Sequence, residues 1–416
     1  MKIGVLTSPL INLSNIFYLD YHKLASDLSR LHDIYLVGSM IKPAAYPNAC
    51  RSLPLISRGA FNGFVFLGYL RRSKYMKLIS NNVQVFSYFR RTVDTKFDSK
   101  VINFSSDFFY KNNINLLYSF PFYPELFPTR LAKLLNVPLI LEFWEDQICF
   151  NYETDLSEGI PYKLAIKEKN RGYSWLRELA ISANHVIVPS TVFKNRLHAL
   201  GVNQAKISIV PVCTHPFSQK DKTYVKTIHQ LNGQKIIYYV GSMSPWHDLT
   251  CLITAVSKLL CPNVVLVLSG GTKYLFETFL PCIKKLNVTV IYTGKLSPDE
   301  LDFYISAADV CVAPYKLTYS SGFFPGAVVR YMLAGKAIVA TDLPEIREMF
   351  KGLNAGVLVQ ENNPQEMANA IDFFLEHPDQ VIELGGIARS IAEKYYLWQH
   401  HTKKVTDILA SISNSS

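Results

Sequence analysis

The stretch Tyr315–Glu348, YKLTYSSGFFPGAVVRYMLAGKAIVATDLPEIRE, decides the fold. It opens as a turn-rich loop (Ser320, Ser321, Gly322) and passes through Pro325, a residue suited to the first position of a helix. An apolar helical segment follows (Ala327, Val328, Val329, Tyr331, Met332, Leu333), ended by Gly335, and Ala337–Ala340 then reads as a buried strand. Loop, helix N-terminus and strand, in that order, is how an open α/β sheet presents backbone N–H groups to an anionic ligand.

The same alternation extends in both directions. Strand-like runs stand at Lys2–Leu6, Ile34–Val37, Val101–Phe104, Asn115–Ser119, Val137–Phe143 and His185–Pro189, with helical runs between several of them, such as Tyr21–Leu31 and Leu126–Leu135. A second set comprises Lys235–Val240, Val264–Ser269, Val288–Tyr292, Val310–Pro314, Ala337–Ala340 and Gly356–Val359. Strand–helix alternation predicts parallel, doubly wound sheets. The polar segment His215–Gln234 between the sets is the linker candidate, and Tyr395–Ile412 carries Trp398, Val405, Ile408 and Ile412 at helical spacing.

Composition agrees with two globular domains. The chain has 416 residues, more than one ordinary core accommodates, with 49% hydrophobic and 18% charged residues. No run approaches the roughly 18 to 20 apolar residues of a membrane span. Met1-Lys2 leads directly into the first strand, with no signal-peptide core. Seven cysteines without a C-x-x-C pair read as residues of a reduced, cytoplasmic protein and give no zinc spacing. Residues 1–130 hold 16 basic and 7 acidic residues, whereas the remainder is nearly balanced at 27 and 26. That asymmetry points to an anionic surface met by the first domain. The segment 61–91 interleaves Phe61, Phe64, Phe66, Tyr69, Phe86, Tyr88 and Phe89 with Arg71, Arg72, Lys74, Lys77, Arg90 and Arg91. It is a candidate for peripheral contact with an anionic membrane at the inner face, the alternative being a helix pair covering the sheet with a solvated basic face. No nucleic-acid-binding motif accompanies the charge, so nucleic acid is not an expected partner.

The wording of Tyr315–Glu348 resembles the nucleotide-sugar site of GT-B glycosyltransferases, specifically the family 4 (group 1) retaining set. Pro325, Tyr331, Met332, Gly335, Lys336, Ile338, Val339, Ala340, Thr341, Asp342, Leu343, Pro344 and Glu345 stand at matching offsets. Two polar positions depart: Arg330 stands where relatives have the glutamate that grips the ribose hydroxyls, and Ala327 where they have a lysine. The glutamate that opens the family's Glu-x7-Glu phrase, near Ser320–Gly322, has no counterpart either. Tyr239–Leu249 resembles the family's loop after the first strand of the donor domain, with Ser242 at a frequent arginine position and His247 at a frequent lysine or histidine position. Leu268–Thr272 is a Gly-rich turn, and Tyr292–Leu301 followed by Ala307–Val310 resembles the segment that frames the nucleotide base.

The resemblance implies an α/β chain of GT-B architecture, two Rossmann-like domains facing across a cleft. Their expected bounds are 1–212 for the acceptor domain, 213–392 for the donor domain and 393–416 for a helix returning to the first. It implies transfer of a sugar from a UDP- or GDP-sugar, the co-substrate, to a hydroxyl of a sugar, glycan or lipid-linked acceptor, with retention and no bound cofactor. Donor contacts fall on Gly241, Ser242, Gly294, Lys295, Leu296, Lys316, Ser321, Gly322, Phe323, Phe324, Pro325 and Gly326. No Asp-x-Asp occurs, so without a metal the leaving diphosphate needs helix ends and positive side chains, for which Arg330, Lys316 and His247 are candidates. Arg330 cannot accept from a ribose hydroxyl but can bond phosphate bidentately; a structural arginine is the alternative. Glu142, Glu145 and Asp146, at the end of a buried strand, are candidates for sugar or acceptor contact, with solvated loop charges as the alternative. The competing readings of the whole chain are a catalytically silent GT-B partner subunit or binding module, favoured by the missing glutamates, and a sugar-nucleotide epimerase.

Overall fold

The computed structural model describes residues 1–7, 24, 27–28, 30–41, 78–80, 83–90, 106–107, 109–121, 126–144, 146, 148, 162–231, 233–316, 322 and 324–413. The first sheet comprises β1 (Lys2–Thr7), β2 (Asp33–Ile41), β3 (Leu78–Ser80), β4 (Val83–Arg90), β5 (Leu116–Phe120), β6 (Leu139–Glu142), β7 (His185–Val188) and β8 (Ile207–Ile209). The second comprises β9 (Lys235–Gly241), β10 (Val264–Gly270), β11 (Val290–Gly294), β12 (Val310–Ala313), β13 (Ala337–Thr341) and β14 (Val357–Val359). Strand order is β3-β4-β2-β1-β5-β6-β7-β8 in one and β11-β10-β9-β12-β13-β14 in the other. All pairings are parallel except β3 with β4.

Central strands are apolar throughout because helices cover both faces. Every residue of β12 and β13 is buried. One core on each face of the second sheet gathers Tyr238, Tyr331 and Ile338 on one side and Tyr239, Leu268 and Val339 on the other. This is the period-2 alternation of a pleated strand. The Gly326–Leu333 helix packs under β12, with Pro325 as its N-cap rather than its first residue. It stops at Gly335 (φ +61°), where Gly335 N–H bonds Met332 O and Lys336 N–H bonds Tyr331 O.

Two elements differ from the sequence reading. Residues 83–90, grouped above into a surface element spanning 61–91, form β4, hydrogen-bonded to β2 on one side and β3 on the other. The β-branched and aromatic run VQVFSYF outweighs the flanking charge. A strand paired on both edges is neither a free amphipathic helix nor half of a helix pair. Residues 61–77, 81–82 and 91 lie outside the described residues, as does the expected strand Val101–Phe104. The presumed linker His215–Gln234 contains a helix, Lys222–Ile228, capped by Asp221 and buried through Val225 in the second core.

The last helix, Trp398–Ser413, returns to the first sheet. Trp398, Val405 and Leu409 join Ile3, Val5, Tyr118 and Ile187 in one core, each such burial being worth roughly 1.5–3 kcal/mol. No helix among the described residues is long and apolar enough to cross a membrane.

Candidate functional site

The carboxyl edge of the second sheet is a row of bare backbone. Gly241, Gly270 and Gly294 end β9, β10 and β11; Gly241 pairs with Gly270, and Ser269 pairs with Gly294. A Cβ at Gly241 would lie 2.2 Å from Tyr239 Oη and 2.8 Å from His247 Cε1. Gly270 (φ +95°) would place one 2.2 Å from Gly241 O. Only glycine satisfies both demands. Sequence reading chose Gly241 and Gly294 but gave the Gly270 turn less weight, because its close neighbour, Gly241, is 29 residues away.

Beside this row, Ser242 is exposed and its Oγ lies 2.8 Å from Ser244 Oγ. Lys295 is exposed, while Leu296 is half-buried against the second core. The helix that follows begins with a reciprocal cap between Ser297 and Glu300, which fixes the Gly294–Leu296 turn. The loop after β9 is stitched to the loop after β12: Asp248 N–H bonds Pro314 O at 2.9 Å and Lys316 N–H bonds Trp246 O at 3.0 Å. Among the described residues the half-buried Lys316 ammonium has no ion-pair partner.

His247 stands between these loops, packed against Tyr239, Trp246 and Tyr315. Burial lowers its pKa to about 3, so it is neutral at physiological pH. The expectation of a cationic His247 is therefore corrected: it can donate or accept a hydrogen bond but supplies no positive charge. Its Nδ1 is buried without a hydrogen-bond partner among the described residues.

The loop that opens the sequence reading enters the Gly326–Leu333 helix through Phe324, which packs edge-on against Tyr396, and the buried Pro325. The N-cap of this helix, Pro325, makes no side-chain cap bond, and among the described residues a Cβ built on Gly326 would meet no atom within 4 Å beyond its own neighbours. Of the first amides of the helix, Val328 N–H bonds Pro325 O at 3.0 Å. Gly322 is buried at the lobe junction; Ser321 and Phe323 lie outside the described residues.

Three charged candidates have other work. Arg330 donates from Nη2 to Asp302 and from Nη1 to His215 O (3.1 Å), and its guanidinium lies over the Phe217 ring. It ties the Pro298–Ala307 helix to the chain after β8, so its bidentate capacity is already used, which corrects its assignment to phosphate. Glu142 is buried and accepts from Tyr118 Oη and from Trp144 Nε1 (2.6 Å); His401 Nε2 of the last helix lies 3.1 Å away, a contact that is electrostatic rather than a well-aligned hydrogen bond. Asp146 is buried and accepts from Ile148 N–H (3.0 Å), Tyr173 Oη (3.2 Å) and Arg196. Neither Glu142 nor Asp146 is a solvated loop charge or free to meet a sugar, which corrects both readings; Glu145 lies outside the described residues. The missed partners were Asp302, Arg196 and His401. The available signal was that Leu139-Ile140-Leu141 runs straight into Glu142, so the acid starts inside the core and needs a buried partner.

Buried Lys336, at a motif position, is likewise structural. Its ammonium bonds Ser306 O (2.7 Å) and Ala308 O (2.8 Å), and burial lowers its pKa to about 8.

Residues 234–377 match the family model "Glycosyl transferases group 1". An uncharacterized glycosyltransferase of Methanocaldococcus jannaschii is 22% identical over 56% of this chain and 59% of its own length. The lipopolysaccharide 1,2-N-acetylglucosaminetransferase of Salmonella typhimurium is 25% identical over 54% of this chain and 61% of its own. The chain thus spans about three-fifths of the length of these curated relatives. Among solved structures, Anabaena HepE in complex with UDP-glucose superposes with a TM-score of 0.72 at 16% identity, covering 99% of this chain and 100% of that one. WaaG, a glycosyltransferase involved in lipopolysaccharide biosynthesis, superposes with a TM-score of 0.65 at 13% identity, covering 98% and 99%. The match to the group 1 glycosyl transferase model thus lies on the sheet whose carboxyl edge carries the glycine row, and the chain as a whole has the GT-B fold of these solved structures.

Proposed function

We propose that the protein transfers a sugar from a nucleotide diphosphate sugar to an acceptor hydroxyl, with retention and without a metal ion. The observation that carries this reading is the helix N-terminus at Gly326, without a side-chain cap bond from Pro325 and with clear space beside Gly326 among the described residues, at the same sheet edge as Gly241, Gly270 and Gly294. Backbone amides there suit a diphosphate, and a helix end contributes about 0.3–1 kcal/mol per anionic charge, up to ~2 kcal/mol when partly buried. Lys316 is the side-chain cation left for the leaving group, and neutral His247 is a hydrogen-bonding partner for the donor. Gly294, Lys295 and Leu296 frame the base. The donor's departing phosphate itself takes the acceptor proton, so no protein carboxylate is required, in keeping with the engagement of Glu142 and Asp146. The HepE complexes with UDP and UDP-glucose favour a UDP-sugar, and the Salmonella relative favours a glycan or lipid-linked acceptor.

Titration calorimetry with UDP and GDP, then donor turnover with UDP-glucose, tests the reading. Micromolar to millimolar nucleotide binding with slow donor hydrolysis is expected; no binding of either nucleotide would overturn it. A silent, donor-binding module is the second reading, favoured by Arg330: its pairing with Asp302 leaves no carboxylate at that helix position for ribose. Nucleotide binding without turnover under any acceptor would select it. The basic excess of residues 1–130 further suggests a cytoplasmic protein resting on anionic lipid, which flotation with and without phosphatidylglycerol at low salt decides.

A further inference from the structure

Gly322 opens the approach to the Gly326 helix and touches both lobes. Its N–H donates to Glu345 Oε1 at 2.9 Å, within its own lobe. Its carbonyl accepts from Ser190 Oγ at 3.0 Å, from the other lobe. Ser190, Gly322 and Glu345 are all buried. Gly322 has φ +75°, and a Cβ there would lie 2.6 Å from Phe193 Cβ and 2.9 Å from Phe193 N. The close approach and the left-handed backbone both require glycine at this place.

Ser190 caps the Thr191–Ala199 helix, accepting from Phe193 N–H at 3.3 Å. One hydroxyl therefore uses a lone pair to start a helix of the first lobe and its proton to hold the loop of the second. Phe193 is fixed in the first-lobe core, edge-on to Phe143. Thr191 adds two bonds across the junction, N–H to Glu348 Oε2 at 2.9 Å and Oγ1 to Glu348 Oε1 at 3.0 Å. Glu348 belongs to the Pro344–Met349 helix that also carries Glu345. Two carboxylates on one short helix thus grip the Gly322 backbone and the first-lobe helix side by side.

We propose that Ser190, Thr191 and Glu348 are positioning residues for the nucleotide-diphosphate site: through Gly322 they set the segment leading into Gly326, so nucleotide affinity depends on first-lobe residues that do not touch the nucleotide. The inference rests on the donor reading above. If the nucleotide binds the docked arrangement in preference to the undocked one, docking and binding reinforce one another reciprocally.

Hydrogen exchange and calorimetry with UDP and GDP test it together. In the unaltered protein, saturating nucleotide should slow exchange at the Thr191 and Gly322 amides. Ser190→Ala and Glu348→Ala should each weaken nucleotide binding by roughly 5- to 50-fold, within the usual range of coupling between sites. They should also abolish the nucleotide-dependent slowing, which a merely structural contact would never have shown. Glu348→Gln, which keeps one acceptor for Thr191, should recover much of the affinity and stands in if Glu348→Ala fails to fold. Unaltered affinity in Ser190→Ala and Glu348→Ala would overturn the proposal while leaving the donor reading intact. Failure of the unaltered chain to bind either nucleotide would overturn the donor reading and this inference with it.

Discussion

The buried pair of Glu142 and His401 offers a test with a definite sign. His401 is fully enclosed, with Nδ1 2.9 Å from Pro211 O, Nε2 3.1 Å from Glu142 Oε1, and the ring stacked at 4.9 Å on Trp398. Burial by itself would lower the imidazole pKa; the facing Glu142 carboxylate, with a smaller contribution from Cys213, outweighs it and raises the value to about 10. A raised folded-state pKa means stability that is fully present below the unfolded value near 6.5 and is lost as pH rises through about 10. At about 1.36 kcal/mol per unit, the linkage amounts to roughly 3–5 kcal/mol, comparable with the ~3–5 kcal/mol cost of removing one member of a buried pair. His401→Leu should therefore destabilise the transition that releases the last helix by about 3–5 kcal/mol near pH 7, because removing one member of a buried pair leaves the other enclosed without its partner. The double change Glu142→Leu with His401→Leu should recover much of that loss and flatten the pH profile. Urea unfolding at pH 6, 8 and 10, followed by tryptophan fluorescence, reads all three quantities. A His401→Leu variant that loses less than about 1 kcal/mol, or keeps the parent's slope between pH 6.5 and 10, would refute the ion pair.

Arg330→Glu should face Asp302 with a second carboxylate and destabilise the second lobe by roughly 2–4 kcal/mol, and adding Asp302→Arg should restore much of it; thermal unfolding of the single and double variants decides. Because His247 is already neutral above about pH 3, nucleotide affinity should show no histidine step at this residue between pH 5 and 8, and His247→Gln should leave the profile's shape unchanged in calorimetry. Gly326→Ala should stabilise the unliganded protein by about 0.5–1 kcal/mol through helix propensity. The same methyl occupies the space expected for the diphosphate, so UDP binding should weaken; equal or tighter binding would move the ligand elsewhere.

Strand and helix periodicities, the apolar runs of β12 and β13, and the glycine-terminated Gly326–Leu333 helix were legible from local order alone. So were the glycines that end β9 and β11, because bare backbone at a strand end leaves a residue-level mark. What charged side chains do was not legible. Glu142, Asp146 and Arg330 sit where cleft chemistry would place them, yet each is bound to a residue distant in sequence: Glu142 to His401, Asp146 to Arg196, Arg330 to Asp302. A carboxylate reads the same in sequence whether it is solvated, catalytic or paired in the dark. Only the tertiary fold decides which partner enters its low-dielectric surroundings, and therefore whether its charge is available. The same holds for Gly322, whose glycine the chain specifies but whose reason, the Phe193 backbone of the opposite lobe, exists only once two sheets meet.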